Sequence, residues 1–199
     1  MLSCLSYKYG NFNNIYFFIS YRINSFWFCF NKIFLKKDIR NIGSGNIGAT
    51  NVLRTGNKSI GYATLFLDII KAVIPIIYLK LNYTDYIFIG SLCIFLGHVF
   101  PIWLKFNGGK GVATYVGILF SINLSIGLIF VGVWFLTFLI SKYSSLSSLF
   151  ASLSIPIYLF IFTNQNFIFF SIMFILIFYT HRENIKRLKN KEESKTKIY

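Results

Sequence analysis

The chain reads as an all-α, polytopic membrane protein of about seven transmembrane helices, with a periplasmic N-terminus and a cytoplasmic C-terminus. Three observations predict this. Of its 199 residues, 55% are hydrophobic and 13% are charged, too few charges to cover a soluble domain of this length. Apolar stretches close to the roughly 20 residues that cross a bilayer recur along the chain. The basic residues gather in alternate breaks between those stretches, as positive-inside topology requires.

In chain order the spans fall at 12–35, 60–80, 84–104, 111–122, 124–142, 146–162 and 165–181. The first has no small-residue cleavage site behind it, so it reads as a retained helix rather than a signal peptide. Arg22 and Asn24 within it must face the protein interior or reach outward past the lipid. In the second span Asp68 and Lys71 lie three residues apart on one helical face, where they are expected to neutralise each other. The third ends in "GHVFP", and His98 there reads as a structural histidine among apolar neighbours. The fourth has about twelve residues, so the loop ahead of it is expected to dip into the protein. The breaks "INLS", "KYSSLSS" and "TNQN" separate the remaining spans.

The charge balance is lopsided, with 20 Lys and Arg against 6 Asp and Glu. A C-terminus in the cytoplasm puts Lys36, Lys37, Arg40, Arg54, Lys58, Lys105, Lys110, Lys142 and the basic tail on one face. Lys8 and Lys80 are left on the other. Topology therefore accounts for the net charge of +14, and no nucleic-acid partner is needed to explain it. Cys4, Cys29 and Cys93 are scattered without a C-x-x-C and read as buried free thiols. The few acidic residues form no cluster that would hold a metal, and no cofactor is expected. The organisation is one integral-membrane domain, 1–185, followed by a basic cytoplasmic tail, 186–199, solvated near anionic lipid.

Two polar, glycine-rich islands interrupt this pattern on the basic face. "GSGNIGATNVLR" contains G-x-G-x-x-G at Gly43, Gly45 and Gly48, with Asp68 about where a dinucleotide fold places its ribose ligand. That fingerprint has meaning only inside a βαβ unit, and here Asp68 lies within a membrane span. The second island, "FNGGKGVATY", has Gly111 where a Walker A loop needs Ser or Thr after its lysine. Both nucleotide readings fail, but phosphate binding survives them. Glycines let backbone N–H groups converge on an anion, and a nearby helix N-terminus adds a favourable dipole. Ser44, Thr50, Asn51 and Arg54 in the first island, and Gly108, Gly109, Lys110, Gly111 and Thr114 in the second, supply donors and cations for one phosphate or two.

These islands, with "GHVFPIWLKFNGGKGVATYVG", "YSSLSSLFASLSIPIY" and "HRENIKRL", resemble the motifs of the bacterial acyl-phosphate-dependent glycerol-3-phosphate acyltransferases, in order and spacing from about Asp38 to Glu193. The resemblance implies transfer of a fatty acyl group from acyl phosphate to the primary hydroxyl of glycerol 3-phosphate. The products are lysophosphatidate and phosphate, the first step of phospholipid biosynthesis. It also implies a seven-span protein of the bacterial inner membrane with its active site on the cytoplasmic side. By motif position Ser44, Arg54, Lys110, His181 and Asn184 correspond to active-site residues. Asn46, Thr50, Asn51 and Thr114 lie in the same stretches, Gly108, Gly109 and Gly111 belong to the glycerol-phosphate loop, and Ser144 or Ser145 joins the phosphate ligands. Glu193 matches a structural glutamate in the tail.

The residue types suit that chemistry. Charge builds on the acyl oxygen and the departing phosphate, and preorganised cations and donors stabilise it. Acyl phosphate is already activated, so no protein nucleophile is required; Ser44 has no His and acid in triad order and reads as a hydrogen-bond donor. His181 reads as an orienting group or a general base. The expected partners are glycerol 3-phosphate, acyl phosphate and bilayer lipid. Two alternatives remain open from residues alone: a non-catalytic carrier of anions or lipid phosphates, and a degenerate scaffold member of the same family. Departures from the family pattern are Arg22 and Asn24 in the first span, Ala72 where glycine is usual, and Thr180 where arginine is usual.

Overall fold

The computed structural model of the chain describes residues 46–54 and 56–196. The first predicted span, Ser44, Gly43, Gly45, Arg22, Asn24, Cys4 and Cys29 lie outside the described residues. Among these residues eight α-helices follow one another: α1 (Ala49–Leu53), α2 (Lys58–Asn82), α3 (Ile87–Val99), α4 (Val112–Ile122), α5 (Leu124–Ser141), α6 (Ser144–Phe162), α7 (Phe167–Thr180) and α8 (Arg182–Lys189). Short 3₁₀ turns occupy Thr84–Tyr86 and Ile102–Leu104, and no strand occurs among the described residues.

Among the described residues, α2, α5 and α6 are long and apolar enough to cross a bilayer unaided. The bent pair of α7 and α8, with 60° between them, makes a fourth if counted as one span. Helices α3 and α4 are shorter. The 11 residues of α4 rise about 16 Å, roughly half of a ~30 Å hydrocarbon core. That agrees with the short fourth stretch expected from the sequence. Helix α3 stops at Val99, short of the predicted 104, because Pro101 cannot continue the helical ladder and disfavours helical backbone at Phe100.

Local chemistry fixes the helix ends. Asn57 caps α2, its side chain accepting from Ile60 N at 3.1 Å. Asn123 is extended and ends α4, while its side chain caps α5 by accepting from Ser125 N at 2.7 Å. Lys80 Nζ donates to the last carbonyls of α4, Ser121 O and Ile122 O, each at 3.1 Å. Lys142 leaves α5 in the left-handed conformation, φ 63°.

Packing follows the sequence stripe by stripe. The buried face of α2 runs Gly61, Thr64, Asp68, Ala72, Pro75, Ile76 and Leu79, close to the 3.6-residue period. Gly117 of α4 brings that helix against α2, where an added Cβ would stand 2.5 Å from Ile69 O. On α6 the buried residues Ser145, Ser148, Ala151, Ser152 and Ile155 are mostly small, which lets neighbouring helices approach. Trp134 of α5 donates from Nε1 to Ser148 Oγ at 3.2 Å. The core beneath is apolar, centred on Phe95, Tyr115, Phe130, Phe170 and Met173. Leu81, Ile140 and Phe162 are largely exposed, as lipid-facing side chains are.

Gly117→Val should therefore force α2 and α4 apart. The expected loss is about 1–3 kcal/mol of stability, read as a lowered thermal unfolding midpoint in detergent. An unchanged midpoint would contradict the close helix approach.

Candidate active site

The second glycine island is built on the broken end of α3. A helix end leaves carbonyls without helical partners, and here the loop supplies donors. Gly108 N donates to Val99 O at 3.1 Å and Gly109 N to His98 O at 3.2 Å. Only glycine can come this close: a Cβ on Gly108 would stand 2.1 Å from His98 O, and one on Gly109 would stand 2.2 Å from His98 Nε2. Gly111 starts α4 with φ +82°, where a Cβ would meet the Phe95 ring at 2.2 Å. The amides of Gly108 and Gly109, expected to converge on an anion, are thus committed to α3. What these glycines contribute is a position for Lys110.

Lys110 is met from the other side by α7, since the Thr180 hydroxyl shares its one proton between Ile177 O at 2.8 Å and Lys110 O at 3.1 Å. Burial pushes its ammonium down to about 8; the charge of Glu193 works upward, and those of Arg187 and Arg54 work downward. Charges from the end of α1, from α8 and from the segment after α8 therefore share one site. His181 closes α7 and is buried. Its Nδ1 lies 2.8 Å from Ile177 O. A carbonyl only accepts, so Nδ1 carries the proton and the neutral ring leaves Nε2 as an acceptor.

Glu193 joins the chain's end to this site. Ser145 Oγ and Asn184 Nδ2 donate to its Oε1 at 2.9 and 2.7 Å, and Arg187 Nε donates to Oε2 at 2.7 Å. Burial raises the Glu193 carboxyl, but the hydrogen bonds from Arg187, Asn184 and Ser145, with the Arg187 charge, outweigh this and hold it below its ordinary value. Thr196 N donates to Lys142 O at 2.9 Å, returning the segment to the start of α6. In the tail expected from Lys186 onward, Lys186, Lys189, Asn190, Lys191, Glu192, Ser194 and Lys195 are exposed and, among the described residues, Glu193 alone is buried. Helix α8 runs on to Lys189, and Glu193 is buried because three donors neutralise it. Arg187 was not singled out from the sequence, although its place three residues after Asn184 puts both on one helical face.

The first island folds on itself. Asn46 Oδ1 accepts from Gly48 N at 2.9 Å, and Asn51 Nδ2 donates to Asn46 O at 2.8 Å. Thr50 on α1 reaches Ser144 on α6, with hydroxyl oxygens 3.5 Å apart. Of the two candidate serines, Ser145 is committed to Glu193 and Ser144 faces Thr50. Thr114 is fully buried one turn into α4, and its hydroxyl has no partner among the described residues. The same holds for Asn184 Oδ1. Buried polar atoms of this kind are costly unless something completes them. His98 and Asp68 lie behind the loop, with Lys71 Nζ 2.6 Å from Asp68 Oδ1 as their spacing predicted.

Two measurements follow from these contacts. Because the folded Glu193 carboxyl is held low, its contribution to stability is present above the ordinary carboxylate range and is lost as pH falls through the folded value. Glu193→Gln should therefore flatten the acid side of a plot of unfolding midpoint against pH; a variant that keeps the wild-type acid slope would contradict this role. Thr180→Val removes the donor to Lys110 O and should lower turnover about fivefold, the equivalent of one net hydrogen bond, while Thr180→Ser should restore it. Equal activity in both variants would show that the contact has no effect.

The chain is similar to known proteins. A family model described as glycerol-3-phosphate acyltransferase matches residues 14–191. A glycerol-3-phosphate acyltransferase of Pelagibacter ubique is 74% identical over 182 residues, covering 90% of this chain and 95% of that protein. One from Wolbachia pipientis subsp. Culex pipiens is 46% identical over 162 residues, covering 79% and 84% respectively. Among solved structures, PlsY (YgiH), an integral membrane glycerol 3-phosphate acyltransferase, superposes in its glycerol 3-phosphate form. The TM-score is 0.81 at 34% identity, over 91% of this chain and 93% of that one. Its lysophosphatidic acid form gives a TM-score of 0.77 at 35% identity, over 91% of each chain. The chain belongs to the glycerol-3-phosphate acyltransferase family and is an integral-membrane acyltransferase.

Proposed function

We propose that the chain transfers a fatty acyl group from acyl phosphate to the primary hydroxyl of glycerol 3-phosphate, giving lysophosphatidate and inorganic phosphate. The observation that carries this reading is the convergence of separate polar stretches around Lys110. Thr180 binds the Lys110 carbonyl, and the charges of Arg54, Arg187 and Glu193 all act on its ammonium. Both substrates bear phosphate, and a site with three cations against one carboxylate suits them.

The roles follow from the residue types. Lys110 and Arg54 hold phosphate and offset the negative charge that develops as the acyl C–O bond to phosphate breaks and the ester C–O bond forms. Ser44, Asn46, Thr50, Asn51, Ser144 and Thr114 donate to phosphate oxygens or brace the loops that do, with Ser144 preferred over Ser145 because Ser145 already serves Glu193. Gly108, Gly109 and Gly111 place Lys110. His181, with its Nδ1 proton on Ile177 O, presents Nε2 to accept from the glycerol 3-phosphate hydroxyl and orient it. Asn184, anchored through Nδ2 on Glu193, has its carbonyl oxygen left for the same purpose. The hydroxyl proton passes to an oxygen of the phosphate, which departs as inorganic phosphate.

The topology we infer has seven spans, a periplasmic N-terminus and a cytoplasmic C-terminus, in the bacterial inner membrane. The active site then opens on the cytoplasmic side, where the basic loops gather and soluble glycerol 3-phosphate is available. The domain is single and extends through Glu193, with Arg187 and Glu193 forming part of its polar wall. Acyl phosphate enters from the bilayer.

Purified protein given palmitoyl phosphate and glycerol 3-phosphate should release phosphate and form lysophosphatidate. Lys110→Ala and Arg54→Ala should each reduce turnover about 100-fold or more while leaving the unfolding midpoint near wild type. The rate should fall above about pH 8, where Lys110 loses its proton. Equal use of an acyl thioester donor, or full turnover in Lys110→Ala, would refute this reading.

A further inference from the structure

The proposed chemistry leaves unused a cluster of ionisable side chains, the buried Asp68 of α2 and His98 of α3 with the partly buried Lys71 of α2 between them. Lys71 Nζ donates to Asp68 Oδ1 at 2.6 Å and to His98 Nδ1 at 2.5 Å. An ammonium has no acceptor, so Nδ1 must accept and the ring proton of a neutral His98 sits on Nε2. Such ions are costly inside an apolar bundle, and well-packed aliphatic residues would join α2 to α3 at least as well. Their effect is therefore sought in what the ring touches.

The far edge of the His98 ring lies against Gly109. A Cβ there would stand 2.2 Å from Nε2 and 2.7 Å from Cε1. The backbone of the same histidine accepts from Gly109 N, and that of Val99 accepts from Gly108 N. The next residue is Lys110. We propose that Asp68, Lys71 and His98 are positioning residues for Lys110: the ion pair fixes the imidazole, and the imidazole is the floor on which the loop rests. This rests on the reading of Lys110 as a catalytic group.

A structural brace between α2 and α3 would affect stability alone. A floor under the loop would also govern how deeply Lys110 is buried, and burial is the main cause of its lowered basicity. The groups facing Lys110 are Arg54 after α1, His181 between α7 and α8, Arg187 on α8 and Glu193 beyond it, with the Asp68–Lys71–His98 set behind. None of the facing groups changes in a variant of Asp68 or His98. A loosened loop should thus move the basic limb of the rate profile upward from about pH 8.

The test compares Asp68→Asn, His98→Ala, Gly109→Ala, the double variant His98→Ala/Gly109→Ala and Lys110→Ala, using palmitoyl phosphate and glycerol 3-phosphate between about pH 6.5 and 9.5. His98→Ala and Asp68→Asn should lower kcat about 10–100-fold, as small misplacements of catalytic groups do, and shift the basic limb upward. Gly109→Ala should be nearly inactive. Removing the ring should make room for its methyl, so the double variant should exceed Gly109→Ala about tenfold or more, a non-additive pair. Additive losses with an unmoved basic limb would overturn the proposal. If His98→Ala does not fold, the pH profile of the shape-preserving Asp68→Asn decides in the same way. Full activity in Lys110→Ala would instead sink the proposed function, so the two failures are distinguishable.

Discussion

The hydrogen bonds from Gly108 and Gly109 to the carbonyls of Val99 and His98 are the contacts on which the rest of the site depends. A loop that enters an apolar bundle must satisfy its own backbone, and the broken end of α3 has the same need. Pro101 creates the break, and the glycines close it at distances that any side chain would prevent. Each solves the other's deficit. The result is a fixed, partly buried perch for one lysine, whose position is then shared with Thr180 of α7 and with the imidazole of His98.

Around that perch, among the described residues, cations outnumber anions, and the buried acids Glu193 and Asp68 are both paired. Glu193 accepts three side-chain donors and so draws Ser145, Asn184 and Arg187 together. Asp68 is matched by Lys71 on its own helix. Burial lowers the proton affinity of Lys110; the charge of Glu193 opposes this and those of Arg187 and Arg54 add to it. The Thr114 hydroxyl and the carbonyl oxygen of Asn184 are buried without a partner among the described residues, which is costly for polar atoms.

Much of this was legible in the sequence. Apolar runs with polar breaks located the helices from α2 to α7, since membrane helices must satisfy their backbones internally and need length. The ion pair of Asp68 and Lys71 followed from three-residue spacing. Other features depend on three-dimensional closure. Gly108 and Gly109 have a motif that suggests amides around an anion, and only the fold shows those amides donating to α3. Arg187 and Glu193 lie in a hydrophilic stretch whose composition predicts solvation, yet Glu193 is buried because Ser145 of α6, distant in sequence, joins Asn184 and Arg187 of the adjoining α8 around it. The choice between Ser144 and Ser145 likewise turned on which hydroxyl met Glu193 and which met Thr50. Ser44 and the first span lie outside the described residues.

The central claim is that Lys110, carried on its glycine perch, is where substrate phosphate is held. A crystal structure of this chain with glycerol 3-phosphate tests it most directly. The account predicts a phosphate oxygen about 3 Å from Lys110 Nζ, at charge-assisted hydrogen-bond distance, with Gly108 and Gly109 still bonded to α3. A phosphate bound away from Lys110, or one gripped by the Gly108 and Gly109 amides after they leave Val99 and His98, would contradict it.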